Sequence, residues 1–185
     1  MATPDPPLPS EVWALFAGPI DQQTVQRVTG SISTASLKNV SSIHLLFQCT
    51  GGGIGEGIAL YNMFRALPMD LTIYNSGSVA SIGVIAYLGA KKRKTSAHAT
   101  FMIHRTQTTT QSADTEKLIA LAKSAVLFDG SMEAILREHV EMTPERWNHF
   151  NHNDLWFSAQ EAVKSGLAHE IAEFAPPPQT KLYTL

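Results

Sequence analysis

Leu71-Thr72-Ile73-Tyr74-Asn75-Ser76-Gly77-Ser78-Val79-Ala80-Ser81-Ile82-Gly83 is the stretch on which the reading of the chain turns. Leu71–Tyr74 has the make-up of a short apolar strand, and Asn75-Ser76-Gly77 that of a turn. From Gly83 to Ala90 the chain is apolar with small residues, which reads as a buried helix. Ser81 therefore stands at a strand-to-helix junction, close to the unpaired N–H groups and positive end of a helix. That placement suits a nucleophile whose reaction creates an oxyanion. Taken alone, a serine there is more often a plain helix N-cap.

Upstream, the same unit recurs. Val12–Phe16 reads as a strand ended by Gly18-Pro19. Asp21 can cap a helix from Gln22 to about Leu37, with Val25, Val28, Ile32 and Leu37 as a loose apolar stripe. Ile43–Phe47 is a nearly continuous apolar strand, as expected when both faces are covered. Then comes Thr50-Gly51-Gly52-Gly53-Ile54-Gly55-Glu56-Gly57, followed by a helix through Ile58, Leu60, Tyr61, Met63, Phe64 and Leu67. Glycines between strand and helix let a backbone turn its N–H groups toward a ligand. No Lys follows them, so this is no phosphate loop. The third glycine of a dinucleotide fingerprint is misplaced, and no acidic residue closes the next strand. An oxyanion-binding turn remains. The alternation of strand and helix predicts an α/β domain.

Downstream, Lys91-Lys92-Arg93-Lys94 reads as a solvated basic turn. Thr100-Phe101-Met102-Ile103 is a short strand that delivers His104, and Arg105–Asp114 is polar and threonine-rich. Thr115 to about Val140 predicts a helix of about 25 residues, roughly 38 Å long. Gly130 interrupts its apolar pattern and marks a candidate bend. A helix this long can protrude from a small domain. Thr143-Pro144 opens a further helix, with Pro in the favoured first position. Asp154-Leu155-Trp156-Phe157 leads into Ser158-Ala159-Gln160-Glu161, a capping box, and Gly166 suits the residue after that helix. Leu167–Ala172 is a candidate last strand.

Composition narrows the function classes. The 185 residues are 44% hydrophobic and 16% charged, which fits one globular domain. A net charge of −2 gives no electrostatic case for nucleic acid. No apolar run nears the roughly 20 residues that span a bilayer, so no membrane association is expected. Cys49 is the only cysteine, which rules out an intrachain disulfide and makes a cytoplasmic location the default. Met1–Ser10, with four prolines, lacks the layout of a signal peptide. The expected organisation is a flexible arm over 1–11, a domain over 12–174 and a loose tail over 175–185.

Ser81, His104 and Asp154 follow one another in chain order, behind a glycine turn at 51–53. With them, the segment from Trp13 to Ala172 resembles the proteolytic subunit of the Clp protease, a ClpP-like serine peptidase family. Four blocks carry the likeness: Thr50–Ile54 with Gly57 and Tyr61; Ala80-Ser81-Ile82-Gly83 with Gly89-Ala90-Lys91; Met102-Ile103-His104; and Asp154 with Phe157-Ser158-Ala159, Glu161-Ala162-Val163 and Gly166-Leu167. The resemblance implies an α/β fold of the Clp-protease/crotonase kind, a superhelix of repeated ββα units with a protruding handle helix. It implies a serine-type endopeptidase. Ser81 matches the family's nucleophile, His104 its general base and Asp154 the acid that orients the histidine. The backbone N–H groups of Gly52 and Ile82 match its oxyanion hole. The chemistry needs such a set: a hydroxyl is a weak nucleophile until a base takes its proton, and fixed N–H donors stabilise the oxyanion. The resemblance also implies a peptide substrate and a homo-oligomer built as a ring, with stacked rings as one arrangement. No cofactor and no metal are expected.

The chain departs from the family at several places. About eleven residues precede the first strand, where the family has a longer N-terminal region that meets a ring-shaped ATPase. Leu46 stands where the family places an aromatic residue of the ATPase docking pocket. Both changes count against a Clp-type AAA+ ATPase partner. Thr106–Ser112 replaces a glycine-rich strand; its threonines still favour a strand. His152 and Asn153 replace residues that form ion pairs between rings, so altered stacking is expected.

Other readings stand beside this one. A single His among seven is more often structural than catalytic, and Asp154 fits a capping role. His149 and His152 near Asp154 look only superficially like a metal site. Cys49 has no adjacent basic partner and reads as a buried small residue. Val79 excludes the G-x-S-x-G elbow of α/β-hydrolases. A catalytically silent ClpP-like scaffold or ring subunit is the alternative function. An acyl-CoA enzyme of the crotonase fold ranks last, because it would place a Glu or Asp base in the pocket.

Overall fold

The computed structural model describes residues 9–185. The expected flexible arm thus lies almost wholly outside the described residues. From there the chain runs β1 (Glu11–Ala17), α1 (Gln22–Leu37), β2 (Ser42–Gln48), α2 (Ile54–Ala66), β3 (Asp70–Asn75), β4 (Ser78–Ala80), α3 (Ile82–Leu88), β5 (Lys92–Thr95) and β6 (Thr100–Ile103). It continues with α4 (Thr115–His139), α5 (Pro144–Phe150), β7 (Leu155–Ser158), α6 (Ala159–Lys164), β8 (Glu170–Ile171) and β9 (Leu182–Thr184).

These elements form a staircase of ββα units. Each unit gives one strand to a wide parallel sheet, ordered β8-β5-β3-β2-β1-β9. Each then gives a shorter extended piece to a second, narrow layer before its helix begins. That layer holds the bridges Ile20–Gly52 and Cys49–Val79, then β4 parallel to β6 and β6 antiparallel to β7. The expected superhelix of repeated ββα units is the fold observed.

Local chemistry explains the helix ends. The Asp21 carboxylate accepts from the Thr24 N–H at 2.7 Å and starts α1. Ser158 and Glu161 close a reciprocal capping box on α6. Gly166, at φ +79°, lets the chain leave α6. Every residue of α3 is buried, which explains why this helix is apolar all round. It packs on α2 in the centre of the molecule, with Phe47, Leu71 and Ile73 of the wide sheet in the same core. α4 runs unbroken through Gly130 and buries only Met132 and Leu136. Its first half carries exposed Leu118, Ile119, Val126 and Leu127, so it does protrude as a handle.

Three segments differ from expectation. Lys92–Thr95, read as part of a solvated basic turn, is β5, an internal strand of the wide sheet. Arg93 within it is buried and donates to the Leu167, Ala90 and Gly166 carbonyls. Thr106–Ser112 is irregular and, among the described residues, pairs with no strand. Residues 182–184, in the segment read as a loose tail, form β9 parallel to β1.

Candidate active site

The narrow layer brings the site together. β4 ends at Ala80, and β6 lies beside it with Ala80 paired to Met102. The Ser81 N–H then donates to the Met102 carbonyl at 2.7 Å, which ties the serine to the strand that leads to His104. β7 runs antiparallel to β6, with Ile103 paired to Leu155. One residue further on each strand are His104 and Asp154. Ser81, His104 and Asp154 therefore stand at one end of three neighbouring strands, whose spacing is about 4.8 Å.

Ser81 sits on a sharp turn. Its φ of +56° and ψ of −132° form a conformation that L-residues with side chains rarely adopt. It is held by the 2.7 Å bond to Met102 and by its own carbonyl, which accepts from the Val84 N–H in the first turn of α3. Such a turn lifts the side chain out of the ladder, and Ser81 is half-exposed. Its hydroxyl makes no cap bond to α3, so the plain N-cap role is not the one it plays.

The glycine turn faces it. The chain on either side of Gly52 is pinned by Ile20, whose N–H donates to Gly51 and whose carbonyl accepts from Gly53, both at 2.8 Å. Gly51 has φ +109°, and a Cβ there would lie 2.8 Å from the Ser81 Cβ. Gly52 has φ +147°, and its Cβ would fall on the Ile20 carbonyl. Only glycine allows this close approach. Among the described residues, neither the Gly52 nor the Ile82 N–H donates a hydrogen bond. Both are left available beside Ser81.

His104 is half-buried, and its Nδ1 pairs with the Arg105 carbonyl at 2.6 Å. Asp154 is exposed, and its carbonyl, not its carboxylate, is engaged, by His149 Nε2 at 3.2 Å. Among the described residues, no hydrogen bond joins Ser81 to His104 or His104 to Asp154. The strand register brings the three together, while the His104 ring is turned to its own backbone.

Arg105 is the residue that sequence reasoning missed. Its guanidinium bonds Glu133 of α4 at 2.7 Å, bonds the Asn151 side chain and lies over the Phe150 ring at 4.7 Å. The Thr106 N–H donates to Asp129 of α4 at 2.7 Å. The segment after His104 is thus fastened both to the handle and to the loop that precedes Asp154. Hydrogen bonds from Arg105 and Arg137 hold the Glu133 carboxyl below the usual carboxylate range. An arginine directly after the histidine was the only signal available. Cys49 is buried under the glycine turn; burial pushes its thiol up, away from the reactive thiolate.

A ββα staircase with a serine on a strained turn between the starts of α2 and α3 defines the class as an α/β fold. Comparison with known proteins makes this specific. The Clp protease family model matches residues 8–175, and the chain belongs to this family. It is 28% identical over 173 residues to the ATP-dependent Clp protease proteolytic subunit 2 of Corynebacterium glutamicum, covering 91% of this chain and 85% of that protein. It is 27% identical to the ATP-dependent Clp protease proteolytic subunit of Streptococcus pneumoniae, covering 85% and 82%. A solved structure of a mutant ClpP1 from Listeria monocytogenes shares the fold, with a TM-score of 0.76 at 22% identity, covering 87% of this chain and 91% of that one. The chain is a divergent ClpP-like member of that family.

Proposed function

We propose that the chain is a serine endopeptidase that hydrolyses peptides or unfolded polypeptides through Ser81, His104 and Asp154. The observation that carries this reading is the convergence of those residues on adjacent strand ends, beside two free N–H groups at Gly52 and Ile82. Ser81 Oγ attacks the scissile carbonyl while His104 Nε2 takes its proton. The oxyanion is received by the N–H groups of Gly52 and Ile82. His104 passes the proton to the leaving amine, and an acyl-enzyme remains. Water, deprotonated by His104, then releases the acid and restores Ser81. Asp154 serves by binding Nδ1–H and fixing the tautomer, which requires the His104 ring to leave the Arg105 carbonyl.

The chemistry would run in the cytoplasm, inside the chamber of a homo-oligomeric ring, with the exposed apolar side chains of α4 as the assembly contact. The relatives' names describe ATP-dependent proteases. For this chain the reading stops at peptide cleavage, which needs no ATP, and Leu46 argues against a Clp-type AAA+ partner.

One observation favours a second reading, a silent scaffold subunit: the His104 Nδ1 bond to Arg105 with Asp154 left aside. Fluorophosphonate labelling of the assembled protein, mapped by mass spectrometry beside Ser81→Ala, decides between them. Modification at Ser81, absent from the variant, supports the peptidase. No modification in the assembled protein supports the scaffold.

A further inference from the structure

Two residues of the handle reach the segment that follows the candidate histidine. Asp129 and Glu133 stand at i and i+4 on α4, one turn apart on the same face. Glu133 bonds the Arg105 guanidinium at 2.7 Å and is itself held by Arg137 Nε at 2.9 Å. Asp129 Oδ1 accepts from the Thr106 N–H at 2.7 Å. The Arg105 side chain and the backbone just after it are thus fixed at two adjacent points of one helix.

The second contact bears on His104. The Thr106 N–H and the Arg105 carbonyl belong to one peptide group. That group is planar and trans, so the two point in opposite directions and turn together. Its N–H is on Asp129, and its carbonyl is on His104 Nδ1 at 2.6 Å. A carbonyl only accepts, so Nδ1 carries the proton in this bond. Asp154 would need that same N–H in a triad. A carboxylate makes the stronger, charge-assisted bond, yet the ring sits on the neutral carbonyl. Asp154 is exposed, whereas the carbonyl is fixed from behind by the handle.

We infer that Asp129 is a positioning residue: through the Arg105–Thr106 peptide it holds the His104 ring off Asp154, so that the handle acts as a latch on the base. Withdrawing the Asp129 acceptor frees the peptide to turn, and the ring then goes to the carboxylate. The catalytic consequence rests on the proposed triad. The position of the ring does not, and it is measurable in a protein with no activity.

The test uses the full-length protein with isotope-labelled histidine, and reads the His104 Nδ1–H proton by NMR. Loss of the signal in His104→Gln assigns it. In Asp129→Ala the proton should move downfield, as a charge-assisted bond requires. The movement should vanish when Asp154→Asn is added. Asp129→Asn keeps an acceptor for the Thr106 N–H and should leave the proton where the parent has it. Fluorophosphonate labelling of Ser81 should quicken about tenfold in Asp129→Ala and not in the double variant. An unmoved proton in a folded Asp129→Ala overturns the proposal. So does a movement that persists with Asp154→Asn, or one that Asp129→Asn produces equally. A moved proton with Ser81 still unlabelled upholds the latch and counts against the peptidase reading alone. If Asp129→Ala fails to fold, Asp129→Ser, whose side chain is too short to reach, is read in its place.

Discussion

His104 and Asp154 face each other across β6 and β7, one residue beyond the Ile103–Leu155 pair, yet the His104 ring is bonded to the Arg105 carbonyl. The strand register sets the two side by side, and the proposed triad requires the His104 ring to leave that carbonyl. Asp154→Asn should therefore lower hydrolysis of a fluorogenic peptide at least a hundredfold while leaving the melting temperature unchanged. Equal activity in the variant would show that Asp154 does not orient the base.

Gly52 and Gly30 make a matched pair. At Gly52 a Cβ strikes the Ile20 carbonyl and φ is positive, whereas Gly30 is helical with open space around it. Gly52→Ala should cost about 1–3 kcal/mol of stability and abolish Ser81 labelling. Gly30→Ala should stabilise by about 0.5–1 kcal/mol. Chemical denaturation of the two variants checks both signs.

Leu127 and Val126 are 72% and 71% exposed on α4, so neither supports the fold of the single chain. Leu127→Glu should shift sedimentation toward smaller species with the circular dichroism spectrum preserved. An unchanged particle would remove this face of α4 from the assembly.

His139 and His169 are both held below the ordinary histidine value, first by burial and then by the charge of Arg93. The geometry agrees: His169 Nδ1 accepts from the Arg93 N–H at 3.2 Å, which needs a neutral nitrogen, and His139 Nε2 pairs with the Tyr61 hydroxyl at 3.0 Å. The unfolded chain takes up these protons first as pH falls. Stability should be full above about pH 6.5, the unfolded value, and should decline as pH drops below it toward the folded values. Urea midpoints at pH 7.5 and 5.5 test this, and His139→Gln should flatten the decline.

Signals local in sequence were legible. Asp21 marked the start of α1, Ser158 and Glu161 the capping box, and Thr100–Ile103 the strand that delivers His104, whereas Ser78–Ala80 shows no strand signal of its own and yet forms β4. What escaped depends on distant partners. Lys92–Thr95 looks solvated, but the carbonyls left at the ends of α3 and α6 converge on Arg93, and this holds a cation inside the sheet. The threonines of 106–112 favour a strand, yet the segment pairs with none of the described strands. The contacts of Arg105 with Asn151 and Glu133 join segments 46 and 28 residues away. No window of sequence displays such a meeting.

The pairing of β6 with β7 joins segments about 50 residues apart, across the whole handle. A ribosome delivers the Ser81 turn long before it delivers Asp154. Ser81 and His104 are made before the handle and Asp154 after it, so the layer that brings the three side by side closes only once α4 and α5 have been synthesised.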